Sequence, residues 1–248
     1  MRERPAADNA GLIFDRVRPA YTQVSDQLME RILDGSLAAG DRLSPEGELA
    51  GAFGVSRSTM REALRVLASR DLITTLRGAA GGSFVARAEA KQVSAYLETS
   101  FGLMSGRDDL SLDQMLEARE LIEVPAARLA AERREQTHLD QLREAIESEK
   151  RGGGRGEKFE RHKHFHGIVL EASGNSLFTL VNEPVFQVLR ARFWRPELPA
   201  KHWEIVDRDH TEIVQLIEDR DRDGVARAMR EHLERIRPAY QATPDDEA

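Results

Sequence analysis

Between Ser44 and Arg70 the chain carries two helix-forming runs separated by a link of two residues, Gly54 and Val55. The first run, EGELAGAF, follows Ser44 and Pro45. Proline suits the first helical position, and Glu46 and Glu48 complement the dipole at that end. The second, SRSTMREALRVLASR, opens on Ser56 as a cap and sets Met60, Ala63, Leu64 and Leu67 on one apolar face. Upstream, residues 19–34 place Val24, Leu28, Ile32 and Leu33 on a helical stripe that Gly35 ends. Downstream, Leu72–Leu76 and Ser83–Ala86 are short β-prone pieces around a glycine-rich tip. Helix, short helix, helix and hairpin in that order predict a winged helix-turn-helix, with its third helix in the major groove of DNA.

That reading makes a set of polar residues candidates for DNA contact. Arg57 and Arg61 lie four apart on one helical face, with Arg65 continuing the row, while Ser56, Ser58 and Thr59 put hydroxyls at the leading end. Arginine suits bidentate reading of guanine as well as phosphate pairing, and hydroxyls suit phosphate positioning. Arg77 and Gly81 mark the wing tip, where glycine lets backbone approach closely. A solvated polar face is the alternative for any such helix; the spacing and the wing favour DNA. The net charge of −7 does not exclude it. Arginine and acid are equal in number up to residue 86, so the acid excess lies wholly in the second part, and binding depends on local potential.

From Ser111 onward every segment has helical periodicity: 111–133, 137–150, 157–173, 176–193, 201–220 and 222–237. A helix over 88–106, ending near Gly102 or Gly106, connects the two parts. The expected fold is therefore mainly α, with a winged helix-turn-helix (11–86), a linker helix and connection (87–110) and an all-α bundle of six helices, seven with the linker (111–240). Separators fall at GGGRG, 152–156, and at Pro196 with Pro199; Pro184 should bend or divide the fourth bundle helix. The ends, 1–10 and 241–248, read as frayed.

All seven histidines, 138, 162, 164, 166, 202, 210 and 232, fall in this second part. His162 and His166 share a helical face at i,i+4, a geometry that lets two imidazoles reach one metal. His210 sits among Ile213, Val214 and Ile217, and His232 among Met229, Leu233 and Ile236, so both are compatible with the bundle interior. Four imidazoles from three helices could hold zinc, nickel or another borderline divalent ion. Hydrogen-bonded core histidines, or a surface cluster, are the alternatives. His164 points away by periodicity. Arg119 could meet an effector carboxylate bidentately or pair with Glu123 one turn on. Asn175 is placed to cap the helix that begins at Ser176.

With no cysteine, disulfides and thiolate zinc sites are excluded. No secretory signal and no membrane-spanning run is present, which makes the cytoplasm the expected compartment. A metal-dependent hydrolase is an alternative, but there is neither an HExxH arrangement nor a serine-nucleophile motif. A constitutive architectural DNA binder, whose helical part only dimerises, is another.

The first part resembles the GntR family of bacterial transcriptional regulators, through GDRLSPEGELA at 40–50, FGVSRSTMREAL at 53–64 and the glycine-rich wing ending in Phe84-Val85. The resemblance implies operator contacts by Arg57 and Arg61. It departs at Gly47, where an arginine is common, at Asp71, where a glycine is common, and in a wing lengthened by Ala79 and Ala80. The second part resembles the FCD branch of the FadR subfamily, through HKHFHGIVLEASGN at 162–175 and the later His210 and His232. That resemblance implies a metal held by one aspartate and three histidines, a small organic acid over it, and an effector role for Arg119. Here His162 stands where the aspartate is expected, which removes a negative charge. The implied assembly is a homodimer on a palindromic operator.

Overall fold

The computed structural model describes residues 17–78, 81–107, 109–150, 155–194 and 200–241. Ala79 and Ala80, residues 152–154 of the GGGRG separator, Pro196 with Pro199 and the ends 1–10 and 242–248 lie outside the described residues. The chain divides into two compact units, the break falling between Ala88 and Glu89.

In the first unit, α1 (Ala20–Leu33), α2 (Glu46–Phe53) and α3 (Arg57–Ser69) precede the antiparallel pair β1 (Ile73–Leu76) and β2 (Gly82–Val85), which run Ile73 opposite Val85 and Leu76 opposite Gly82. The helices exist because their apolar stripes meet: Val24 and Leu28 of α1, Ala50 of α2 and Met60, Ala63 and Leu67 of α3 close one core with Leu43, Ile73 and Val85. Truncating the fully buried Leu67 to alanine would cost roughly 2–5 kcal/mol. Leu33, expected on the stripe, is 73% exposed instead, because α1 ends there and the residue turns past the edge of the core. Pro45 is likewise one position earlier than expected: its ψ of 144° is extended, so it precedes the helix and α2 starts at Glu46 without a side-chain cap. Ser56 caps α3 as expected, its Oγ accepting from Thr59 N at 3.1 Å. Asp71, in the loop before β1, has φ of +56°, the left-handed region that favours glycine.

The second unit is helical throughout the described residues: α4 (Ala90–Ser105), α5 (Leu112–Arg133), α6 (Gln136–Lys150), α7 (Arg155–Ala172), α8 (Ser176–Arg192), α9 (Ala200–Glu218), α10 (Arg222–Ile236) and the single turn α11 (Pro238–Gln241). Helix α4, expected as a connection, packs along α8. Helix α5 packs against α10 and α7, and the buried alanines 126, 127, 130 and 131 let it approach closely. A full capping box between Ser111 and Gln114 starts α5, and Asn175 caps α8 by accepting from Leu177 N at 3.2 Å. Pro184 does not divide α8, which runs unbroken from Ser176 to Arg192. A proline removes one N–H from the ladder, and here its ring is buried among the apolar residues of that helix, packing that offsets the loss.

Two apolar clusters fill the bundle. One gathers Ala130, Leu142, Phe165, Val169, Ile213, Ile217, Val225 and Met229; the other Met115, Phe159, Phe186, Leu189, Trp194, Trp203 and Ile236. A layer of histidines touches both. Phe165 of the first cluster stacks on His210 with ring centroids 3.8 Å apart, and Phe186 of the second tilts toward His166 at 5.7 Å.

Candidate functional site

Helix α7 supplies His162 and His166, α9 supplies His210 and α10 supplies His232. All four rings are buried, and one nitrogen from each lies within 4.8 Å of one nitrogen from every other. The Nε2 of His232 stands 3.2 Å from the Nε2 of His166 and 3.2 Å from that of His210. Nitrogens bound tetrahedrally to one zinc at ~2.0–2.1 Å sit ~3.3 Å apart, so this spacing suits a shared ion.

The outward nitrogens carry the second half of the arrangement. His166 Nδ1 lies 2.5 Å from Glu123 Oε2, His210 Nδ1 lies 2.7 Å from Glu149 Oε2, and His232 Nδ1 lies 3.6 Å from Asp209 Oδ2. An acid behind an imidazole orients the ring so that its Nε2 points inward, the usual support of a metal-bound histidine; here the His210–Glu149 contact is a hydrogen bond, whereas Nδ1 of His166 and of His232 only approach their acids. Two of these carboxylates are themselves held. Glu123 accepts from Arg119 Nε at 2.6 Å and from Asn182 Nδ2 at 3.1 Å; Asp209 accepts from Arg235 at 2.6 Å.

Burial pushes all four imidazoles toward the neutral, ligating form. It holds His162 and His166 well below the ordinary histidine range, helped by the neighbouring imidazoles and Arg119, and it lowers His210 to about 3 and His232 to about 4 against the opposing pull of nearby acids. Neither ring nitrogen of His162 has a hydrogen-bond partner, an expensive condition for a buried polar group without a ligand. The residues therefore fit a divalent transition metal. Whether the fourth donor is His162 rests on those orphaned atoms and the common reach.

Arg119 is fully buried and paired with Glu123, its Nη1 donates to the Tyr240 hydroxyl at 3.0 Å, and its guanidinium lies 4.2 Å from the Phe186 ring centre. The carboxylates behind the rings were not singled out as site residues from sequence. A signal existed for Glu123, because Arg119, Glu123, Ala126 and Ala130 follow one face of α5 that the alanines mark as inward. Asn182, a polar residue inside the apolar run of α8, was another. Glu149 and Asp209 pair with histidines on other helices, which no local pattern reveals. His164 is exposed; His138 accepts from Glu135 N at 3.0 Å on α6; the side chain of His202 lies outside the described residues.

In the first unit Ser56, Arg57, Ser58, Arg61, Arg65 and Arg77 are exposed and Thr59 is half-buried. The hydroxyls of Ser58 and Thr59 each lie 2.8 Å from Ser56 Oγ, so the leading end of α3 is a small hydroxyl cluster. Arg61 is paired bidentately with Glu46 of α2, Arg65 with Glu62. A Cβ on Gly47 would stand 3.2 Å from the Arg57 guanidinium, which thus lies across the position where the resembled pattern has an arginine. At the wing, a Cβ on Gly81 would fall 2.5 Å from the Leu76 carbonyl oxygen, and Arg42, unremarked in the sequence, donates to the Gly81 carbonyl at 2.6 Å.

The family model described as bacterial regulatory proteins, gntR family, matches residues 20–85, and that of the FCD domain matches 114–235. The chain belongs to the GntR family, with an FCD domain following its helix-turn-helix. LutR of Bacillus subtilis, an HTH-type transcriptional regulator, is 36% identical over 149 residues, 59% of this chain and 64% of LutR; the match thus spans less than two thirds of that relative. The HTH-type transcriptional repressor NanR of Cronobacter sakazakii is 29% identical over 230 residues, 88% of this chain and 84% of NanR. The solved structure of Streptococcus agalactiae GntR superposes with a TM-score of 0.60 at 25% identity, covering 88% of this chain and 98% of that one. This GntR regulator is a DNA-binding transcriptional regulator and not an enzyme, which sets the hydrolase reading aside.

Proposed function

We propose that this GntR regulator senses a small carboxylate effector at a divalent transition metal, zinc or nickel, held by His162, His166, His210 and His232, and that it binds a palindromic operator as a cytoplasmic homodimer. The observation that carries this reading is the convergence of three Nε2 atoms, that of His232 standing 3.2 Å from each of the other two, with a buried acid behind each ring. The metal would supply a Lewis-acidic positive charge in a dry interior, where an anion is attracted far more strongly than in water. The protein's own part is to present neutral imidazoles, orient them with Glu123, Glu149 and Asp209 behind the rings, and exclude solvent with Phe165 and Phe186.

On the DNA side, residues 11–86 form the reading head. Ser56, Ser58 and Thr59 position the head on phosphates, Arg57, Arg61 and Arg65 face the groove, and Arg77 with Gly81 brings the wing to the backbone. Residues 87–110 connect and 111–240 sense. Arg119 acts through Glu123 and is one guanidinium from the histidines, the arrangement from which an effector carboxylate would draw it. The effector works by favouring one of two arrangements of the dimer, which serves a repressor or an activator equally.

Chelator-stripped full chain titrated with zinc or nickel chloride in a calorimeter tests the centre. One ion per chain with a matching rise in Tm is expected; no heat and no change in Tm would overturn it. Retardation of in-vitro-selected DNA, with and without a panel of carboxylic acids on the metal-loaded protein, tests the sensing.

A further inference from the structure

A two-stranded hairpin is marginally stable by itself in water, and the wing is one: β1 and β2 pair over four residues each, from Ile73 opposite Val85 to Leu76 opposite Gly82. Its tip lies at the end of roughly 10 Å of strand and needs support from outside. The chain just before α2 supplies part of it. Gly40 N donates to Val85 O at 2.9 Å, Val85 N to Asp41 O at 2.8 Å and Leu43 N to Ser83 O at 2.8 Å, so residues 40–43 lie along the edge of β2 that β1 leaves free.

Beyond Ser83 the support is a side chain. Arg42, exposed and bridged to Phe84, sends Nη2 to the Gly81 carbonyl oxygen at 2.6 Å and sets its guanidinium 5.9 Å from the Phe84 ring centre. The glycines fit this reach. A Cβ on Gly82 would stand 2.9 Å from Arg42 Nε and press on the guanidinium. A Cβ on Gly81 would fall 2.5 Å from Leu76 O and 2.7 Å from Gly78 O, so the limb that Arg42 grips is wound closely onto the limb that carries Arg77. Gly81 N also donates to Gly78 O at 2.8 Å across the same turn. Fixing Gly81 thus fixes the backbone on which Arg77 stands. At its other end the brace is anchored in the reading head: Leu43, next in the chain, is buried with Met60 and Leu67 of α3, and Glu46 at the start of α2 holds Arg61. A wing ordered before it meets DNA does not lose that freedom on binding.

We propose that Arg42 is a positioning residue for operator binding, whose hydrogen bond to Gly81 sets the wing so that Arg77 meets a phosphate. The assignment rests on the wing being a DNA contact. An Arg42 that touched DNA by itself would contribute independently of Arg77, whereas a brace contributes only through it.

The test titrates full-length protein against a labelled duplex selected in vitro on the wild-type chain, at several salt concentrations. Arg77→Ala should weaken binding about fivefold to tenfold and reduce the salt slope by about one. Arg42→Met should do the same while Tm falls by less than about 5 °C. The double variant should bind no more than about twofold worse than either single one. Arg42→Lys, which keeps a donor for the carbonyl, should recover to within about threefold of wild type. Losses that multiply, with a slope reduced by about two in the double variant, would make Arg42 a separate phosphate contact and overturn the proposal. So would full affinity in Arg42→Met, a loss that Arg42→Lys leaves unrepaired, or a fall in Tm large enough to account for the loss. A loss in Arg77→Ala with none in Arg42→Met keeps the wing contact and sinks the brace alone; an Arg77→Ala protein that binds as tightly as wild type sinks the wing contact and the brace with it.

Discussion

In the winged unit the arginines Arg57, Arg61 and Arg65 stand on the surface, Arg61 and Arg65 each paired with a half-buried carboxylate, whereas in the helical unit His162, His166, His210 and His232 lie in the interior beside apolar clusters, with buried acids set behind three of them. The first arrangement separates function from stability, because an exposed side chain can be lost without leaving a hole or an orphaned charge. The second couples them, because the polar atoms there have been stripped of water and depend on one another or on a bound ligand.

The coupling is broken most severely at His232, the ring whose Nε2 touches both other Nε2 atoms. His232→Ala should weaken zinc or nickel binding by more than about a hundredfold, since losing merely the group behind a ligand costs ~10–100-fold. Titration of the stripped variant checks this, and a change below about tenfold would make the ring a packing element. On the other side, Arg57→Ala with Arg61→Ala should reduce affinity for selected DNA by about two orders of magnitude, as expected for contacts of ~1–3 kcal/mol each, while Tm moves by no more than about 1–2 °C. A large fall in Tm there would erase the contrast between the two units.

Acid sharpens it. Burial keeps the four imidazoles from taking a proton that the unfolded chain accepts near pH 6.5, with His232 lowered to about 4 and His210 to about 3. The unfolded state thus binds more protons across that window, and stability is lost as pH falls from about 6.5 toward 4. Glu149, pushed up to about 8 by burial, has the opposite sign: its contribution is full below about pH 4.5 and is lost as pH rises through 8. Four histidines outweigh one acid, so the metal-free chain should lose ~5 °C or more in Tm between pH 7 and pH 5, and zinc should raise Tm at pH 7 far more than at pH 5. The smallest effect is expected in the winged unit, at Asp71. Asp71→Gly relieves a left-handed backbone at φ +56° but adds freedom to the unfolded chain, a net gain of ~0.5 kcal/mol or less by denaturant titration.

What the sequence discloses follows the same divide. Local periodicity placed every long helix and the hairpin, because each apolar stripe is a one-dimensional record of a buried face. It misjudged places where a neighbour decides: Leu33 at the edge of its core, Pro45 outside rather than inside α2, and the short α11 whose Tyr240 receives Arg119. In the site, the imidazoles were visible through i,i+4 spacing and resemblance, whereas Glu149 and Asp209 act on rings of helices remote in sequence. The pairing of Glu149 with His210 spans 61 residues, and no window on the chain holds both.

The distance along the chain between the imidazoles has a consequence for how the molecule holds together. His166 and His232 are 66 residues apart, His210 and His232 22 apart, in a protein without a cysteine. An ion that ties them would close two nested loops in the folded chain and, because it is released on unfolding, would stabilise that chain by mass action, by about 2.7 kcal/mol at free metal of about 100 times Kd. Unlike a disulfide, such a tie answers to free metal concentration rather than to redox potential. The lifetime of the regulator against proteolysis would then follow the metal supply of its surroundings, independently of any effector.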